Sequence, residues 1–260
     1  MPEGDSIRRV ANKLAPLVGQ TIERATTQGI IRNLGGRTIT HVDAHGKHLN
    51  IDLDNATQIH VHQGMNGRFR RWARVTGELH LAKTSPGRAS LVIATKSDLC
   101  LWLTCPTVEI TPRRAPMRGM SVNQLGPDVL AGNFDSRQAA ERAALHPTRR
   151  IGDVLLDQRV VAGLGNIWKT ESCFRARIDP RTRVADIPKH VLEQIYESAH
   201  ELMANAVVVG TRDMAAYSNT NKPCPRCGAL IICYQLGDPP RWTWSCPQCQ
   251  PAPTDAADKR

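Results

Sequence analysis

The sequence predicts a multidomain α+β chain: a β-rich N-terminal part entered through a helix, a helical second part, and a small C-terminal zinc ribbon. Three observations carry this expectation. Short apolar or alternating runs separated by Gly, Asn and Asp fill residues 20 to about 110, the spacing of a sandwich or barrel. From residue 136 the apolar positions recur at helical spacing. Near the end, Cys224-Pro-Arg-Cys227 and Cys246-Pro-Gln-Cys249 stand eighteen residues apart.

Residues 5–18 read as the entry helix, with Ile7, Val10, Ala11, Leu14, Leu17 and Val18 on one face, Asp5 and Ser6 in the first turn and Gly19 at the end. Pro16 disturbs the last turn. Expected strands are Thr38–Val42, Leu49–Leu53, Gln58–Val61, Glu78–Ala82, Ser90–Ala94 and Leu99–Leu103. Two charged loops lie among them. His45-Gly46-Lys47-His48 joins two strands, and its lysine is either solvated or functional. The other runs from His62-Gln63-Gly64-Met65-Asn66-Gly67 into Arg68, Arg70, Arg71 and Arg74, with Phe69 and Trp72 interleaved. Met65 suits either a core filler or a wedge between bases. His60 and His62, two apart on a strand, share a face; no carboxylate or cysteine partner for a metal pair is evident beside them.

Residues 111–133 lose apolar periodicity and gain Pro and Gly, the mark of a linker. Helices follow at Ser136–Leu145, Ile151–Gln158 and Pro188–Val209, the last closed by Gly210. Between them, Gly163-Leu-Gly-Asn166 leads into another helix, with Asn166 as its expected N-cap. That turn is either a structural cap or a phosphate site at a helix N-terminus. It is not a nucleotide-cofactor fingerprint, because the third glycine and the preceding strand are missing.

The cysteine spacing reads as a structural zinc site. A unit this small cannot bury enough apolar surface to fold alone, so the metal supplies its stability. Ala229–Gln235 and Pro240–Ser245 read as the two ribbon strands, with Gly237-Asp238 turning the chain and Arg241 on the second. Pro251–Arg260 reads as a disordered tail.

Composition narrows the function. With 260 residues the chain has room for one large domain or two to three small ones. No apolar run reaches the roughly 20 residues of a membrane helix, and no signal peptide is evident, so no membrane partner and a cytoplasmic location are expected. The net charge of +10 points to a polyanion, without separating DNA from RNA. At the start, Met1-Pro2-Glu3 is either a processed end or a site: removing Met1 turns the Pro2 nitrogen into a secondary amine beside a carboxylate.

In combination these motifs resemble the formamidopyrimidine-DNA glycosylase/endonuclease VIII family. The matching pieces are Pro2-Glu3-Gly4-Asp5, Gly46-Lys47-His48-Leu49, His62-Gln63-Gly64-Met65-Asn66-Gly67-Arg68-Phe69, Leu125-Gly126-Pro127-Asp128, Asp157–Asn166 and the ribbon through Gln250, in the family's order. The resemblance implies an N-terminal β-sandwich over 1–112, a linker over 113–133, a helix–two-turn–helix domain over 134–221, a zinc finger over 222–250 and a tail over 251–260. It also implies damaged DNA as the partner, held between the domains, a monomer, nucleoid association in a bacterium, one structural zinc through Cys224, Cys227, Cys246 and Cys249, and no catalytic metal or organic cofactor. By the same resemblance Pro2 is the nucleophile of a bifunctional glycosylase/lyase and Glu3 its acid/base. Lys47 is a catalytic or phosphate-contacting lysine, His62 lies near the DNA, Met65 is the wedge, Asn166 anchors a phosphate and Arg241 reaches the lesion's phosphates.

Three departures favour the endonuclease VIII side, which prefers oxidised pyrimidines, over the oxidised-purine branch. Leu101–Pro106 lacks that branch's Pro-Arg-Arg-Phe-Gly-like segment, Gly152 replaces its lysine, and only thirteen residues separate Gly210 from Cys224. Gln124 also replaces an Arg of some relatives. A zinc-ribbon protein that binds damaged DNA without cutting it is the non-enzymatic alternative. An RNA-binding module is weaker, since clustered aromatic stacking residues are missing.

Overall fold

The structure is a computed structural model that describes residues 1–112 and 124–253. It divides into two units, Met1–Asn123 and Gln124–Arg260.

In the first unit, the apolar stripe of the entry segment forms α1 (Gly4–Leu14), which buries Ile7, Val10, Ala11 and Leu14. Pro16 converts the last turn to a 3-10 turn, Ala15–Leu17, because proline lacks the N–H that an α-helix needs. Two antiparallel sheets follow. One has the order β2-β1-β7-β8-β6 and the other β3-β4-β5-β9. The first comprises β1 (Ile22–Thr27), β2 (Ile30–Arg32), β6 (Arg68–Ala73), β7 (Ala89–Thr95) and β8 (Asp98–Leu103). The second comprises β3 (Ile39–His45), β4 (His48–Leu53), β5 (Thr57–His62) and β9 (Thr107–Pro112). The sandwich core joins both sheets and α1, through residues such as Ile22, Leu49, Ile59, Ile93 and Trp102.

Three expectations change here. Glu78–Ala82 is not a strand but the end of helix α2 (Arg74–Ala82). Its Glu-Leu-His-Leu alternation imitates a strand, whereas Arg74 and Glu78 pair across one helical turn at 2.7 Å and leave Leu79 exposed. Arg68–Trp72, expected as part of a loop, lies in strand β6, which pairs along β8. Alternation sends Phe69 into the core against Trp102, ring centres 4.7 Å apart, and leaves Arg68 and Arg70 outside. Arg71 meets Asp98 at 2.9 Å. The arginine cluster therefore splits between ion pairs and the surface. Strands β1, β2 and β9 escaped the sequence reading altogether.

The second unit is built on α3 (Ser136–Ala144), α4 (Ile151–Leu156), α5 (Asn166–Ala176) and α6 (Lys189–Val209). Their shared core includes Val154, Leu164, Trp168, Ile195, Tyr196 and Met203. Part of the expected linker belongs to this core. Val129 is buried in it, Gly126 N–H donates to Gln158 O at 2.9 Å, and Asp128 bridges to Ala162. Residues 113–123 of that linker, and 254–260 of the expected tail, lie outside the described residues.

The ribbon strands are β10 (Ile232–Leu236) and β11 (Arg241–Ser245), antiparallel from Ile232 opposite Ser245 to Leu236 opposite Arg241. Among the described residues no helix is long and apolar enough to cross a membrane.

Candidate functional site

Each unit carries part of the constellation. In the first, Glu3 caps α1 in extended conformation and is 1% exposed, with Pro2 half-buried beside it. Arg8 donates to Ala44 O on β3 at 2.8 Å, so the helix that starts at Gly4 is tied to the sandwich. The chain's first residues are therefore held, not frayed.

Lys47 sits half-buried in the two-residue turn between β3 and β4, where Gly46 takes φ +57°. A glycine at the first turn position suits a hairpin of the II′ kind. His48 follows on β4 and lies opposite His62 on β5. Alternation puts His48, His60 and His62 on the polar face of their sheet, while Leu49, Ile59 and Val61 enter the core. His48 Nδ1 and His60 Nε2 are 2.9 Å apart, and the rings of His48 and His62 lie 5.2 Å apart. Sequence reasoning placed His60 and His62 on one face but missed His48 as their neighbour. The signal that finds it is the register across the β4–β5 hairpin.

Burial lowers the pKa of all three histidines, with His48 falling from 6.5 to about 3. In the unfolded chain they would take up protons near 6.5, where the folded chain still refuses them. Stability is therefore complete above the unfolded value and declines as pH falls from about 6.5 toward 3. Thermal melts should show the midpoint dropping on acidification from about pH 7 to about pH 5, and less steeply in His48→Gln. Equal slopes in the two proteins would remove His48 as a source of that dependence.

Met65 stands at the tip of the β5–β6 turn and is 65% exposed, which decides against a core filler. The turn is closed by Gly67 N–H donating to Gln63 O at 2.9 Å. A Cβ at Gly67 would lie 2.1 Å from Gln63 O, so the turn can close in this way only with glycine there.

In the second unit, the residue expected as an N-cap is instead the first of α5: Gly165 caps the helix, and Asn166 uses its side chain elsewhere. Asn166 Nδ2 donates to Trp242 O of β11 at 2.7 Å. Lys169, fully buried one turn later, reaches Thr243 Oγ1 at 2.7 Å. These two contacts tie α5 to adjacent residues of the strand that carries Arg241, whose side chain is exposed. The preceding turn is braced by Gln158, which donates to Leu156 O and Leu164 O and accepts from Gly163 N–H. Neither Gln158 nor Lys169 was singled out from the sequence.

The ligand atoms of Cys224, Cys227, Cys246 and Cys249 all lie within 4.8 Å of one another. Arg226 N–H points at Cys224 Sγ and Cys249 N–H at Cys246 Sγ, each at 3.4 Å. Four sulfurs with backbone donors behind them form a site that fits a soft or borderline cation. The remaining buried cysteines have no such surroundings. Burial pushes the thiols of Cys100, Cys105 and Cys173 up to about 12, so they stay protonated and unreactive.

A sandwich entered through a helix, a helical domain with a braced Gly-x-Gly-Asn turn and a four-cysteine ribbon together define a DNA-repair glycosylase architecture. Residues 1–107 match the formamidopyrimidine-DNA glycosylase N-terminal domain, and residues 125–218 match the formamidopyrimidine-DNA glycosylase H2TH domain. The chain is 32% identical to DNA-(apurinic or apyrimidinic site) lyase Nei2 of Mycolicibacterium smegmatis, over 97% of this chain and 100% of that one. It is 29% identical to probable endonuclease 8 2 of Streptomyces coelicolor, over 97% and 95%. Among solved structures it resembles MutM (Fpg) of Thermus thermophilus, with a TM-score of 0.77, 25% identity and coverage of 96% and 98%. The chain belongs to the formamidopyrimidine-DNA glycosylase/endonuclease VIII family of DNA glycosylases and apurinic/apyrimidinic-site lyases.

Proposed function

We propose that this family member excises oxidised bases, pyrimidines foremost, through an iminium on Pro2, and then cuts the strand. The observation that carries the reading is the pinned start of α1, with a buried carboxylate next to a proline that becomes terminal once Met1 is lost. An α-amine has a pKa of about 7.7–8.0 against about 10.4 for lysine, so roughly a few hundred times more of it is free base at neutral pH.

The Pro2 nitrogen attacks C1′ of the extruded nucleotide. The C1′–base bond breaks, and the base leaves with a proton. Glu3 protonates the opening sugar oxygen, and the nitrogen's lone pair forms the iminium. A secondary amine reaches that cation once its own N–H proton has left. The iminium acidifies C2′, whose proton departs as the 3′ phosphate is expelled; cleavage stops at this β-elimination or continues to a δ-elimination that also releases the 5′ phosphate.

Lys47, His62, Asn166 and Arg241 serve as DNA contacts, Lys47 also as a candidate catalytic amine. Asn166 Nδ2 carries two hydrogens, of which Trp242 O takes one. The positive end of the α5 dipole adds to its attraction for phosphate. Zinc is the metal proposed for the four cysteines, where it holds the ribbon and takes no part in chemistry.

Two packing details support pyrimidines. A Cβ on Gly152 would lie 2.7 Å from Leu236 Cδ2 and 2.9 Å from Pro180 O, so the purine branch's lysine has no room. The short stretch after α6 is clasped by Glu171, whose carboxylate accepts from the N–H groups of Ala215, Ala216 and Tyr217 at 2.7–3.0 Å.

The decisive experiment scores excision from a panel of defined lesions in single- and double-stranded DNA, with borohydride trapping of the adduct. Thymine glycol should be processed in preference to 8-oxoguanine. The reverse order would place the chain on the purine side, and complete inactivity with trapping on no substrate would leave a DNA-binding protein. Met65→Ala should change stability by no more than about 0.5 kcal/mol, as expected for an exposed side chain. It should nevertheless slow excision from duplex DNA more than cleavage at an abasic site in single-stranded DNA, since only the duplex leaves a gap to fill.

A further inference from the structure

The polar face of the β3-β4-β5-β9 sheet holds an arrangement that the proposed chemistry leaves unused. Five of the chain's nine histidines, His41, His45, His48, His60 and His62, lie on its strands. Two of them form a direct ring-to-ring hydrogen bond, His48 Nδ1 to His60 Nε2 at 2.9 Å. Such a bond needs one nitrogen protonated and the other bare, so the two tautomers are coupled.

The far side of His60 selects between them. His60 lies opposite Glu109 in the β5–β9 register and is 3% exposed. Its Nδ1 is buried without a hydrogen-bond partner and faces Glu109 Oε2 at 3.8 Å. A bare lone pair on Nδ1 would be aimed at a carboxylate, whereas an N–H there is attracted to it. The proton therefore belongs on His60 Nδ1. His60 Nε2 then accepts, and His48 Nδ1–H donates. His48 directly follows Lys47 and lies opposite His45 across the turn.

We propose that Glu109, His60 and His48 form one tautomer-locked positioning chain that fixes the Lys47 turn for its contact with DNA. This rests on the proposed role of Lys47. Glu109 orients His60, His60 orients the ring of His48, and the backbone between His45 and His48 is held in the geometry that presents Lys47. Other groups facing the chain are His45 from β3, Lys47 in the turn and His62 on β5; all three disfavour a charge on His48. Further along the face, Asp43 lies opposite Asn50, and Asp52 accepts from Gln58 Nε2 at 2.8 Å. Burial, the largest cause, keeps both rings neutral against the opposing pull of the Glu109 carboxylate on His60, and their hydrogens have a fixed direction.

The test is a double-mutant cycle on binding to duplex DNA carrying a tetrahydrofuran abasic analogue, which requires no chemistry. It uses the full zinc-loaded chain with His60→Gln, Glu109→Gln, Lys47→Ala and the two combinations with Lys47→Ala. Each chain variant should weaken binding about five- to tenfold, the scale of losing the one hydrogen bond that a well-placed Lys47 makes to DNA. Neither should weaken it further in the Lys47→Ala background. In cleavage of abasic DNA by otherwise unaltered protein, Glu109→Gln should raise KM by a similar factor and leave kcat within about twofold; Glu109→Asp should recover part of the loss. Should His60→Gln fail to fold, Glu109→Gln at the partly solvated end carries the cycle alone. Additive losses, or unchanged affinity in the folded chain variants, overturn the proposal. If Lys47→Ala itself leaves affinity unchanged, the reading of Lys47 as a DNA contact fails and the positioning role goes with it. Absent cleavage with an intact binding cycle would instead count against the proposed lyase alone.

Discussion

Protein freed of Met1 should give a borohydride-stable adduct with abasic-site DNA, and protein retaining Met1 should give none. With Met1 attached, the Pro2 nitrogen is an amide whose lone pair is delocalised into the carbonyl; it cannot form an iminium. Met1 is 42% exposed, so its removal is not sterically blocked by the fold. Mass spectrometry of the two forms, followed by trapping, checks this directly. Pro2→Gly keeps a terminal amine but replaces a secondary by a primary one and loosens the backbone before α1, so trapping should fall severely without vanishing. Glu3→Gln keeps the shape at the buried cap and removes the proton. Positioned acid–base groups contribute about 10²–10⁴-fold, so base excision should drop by that order. Cleavage of a preformed abasic site, where the base has already left, should suffer less. Equal losses on both substrates would contradict that division of labour, and undiminished trapping by the Met1 form would remove Pro2 as the nucleophile.

Much of the proposed site can be picked out of the sequence because its chemistry would be local there. Pro2 and Glu3 are adjacent, each cysteine pair is a C-x-x-C, and the Met65 turn is bracketed by glycines in one short segment. The two-sheet architecture was legible in outline because alternation reports burial. The failures have physical causes of the opposite kind. Glu78-Leu79-His80-Leu81 alternates yet is helical, because the ion pairs of Arg74 and Glu78 and packing against β8 decide its conformation, not its pattern. Arg68–Trp72 looked like part of a basic loop because arginines occupy the outward positions of an edge strand. Asn166 looked like a cap, but its partner is Trp242, 76 residues away. The histidine chain was hidden for the same reason: His48, His60 and Glu109 meet only through the register of three strands.

Stripping the metal should unfold the ribbon and leave the helices of the same unit standing. The ribbon's own apolar cluster is small, comprising Phe174, Ala216, Ile231 and two of the cysteines, Cys224 and Cys246, themselves. The helical core, by contrast, has more than twenty buried residues from Val129 to Ala206 and needs no cysteine of the cluster. Structural zinc in small finger peptides is worth about 10–16 kcal/mol, comparable to the roughly 5–15 kcal/mol stability of a whole domain. A strong chelator, or Cys246→Ser at the fully buried ligand, should therefore free β10 and β11. Near-ultraviolet signals from Trp242 and Trp244 should collapse, while far-ultraviolet helicity from α3 to α6 is largely kept. Releasing β11 also frees Trp242 O from Asn166 and Thr243 from Lys169, which leaves Lys169 without that partner. Affinity for abasic-analogue DNA should then fall by more than Arg241→Ala alone produces, because Asn166 loses its orientation along with the arginine. Metal analysis should find one zinc per chain before treatment. A ribbon that keeps its tryptophan signals after complete metal removal would show that packing against α5, not the metal, holds it.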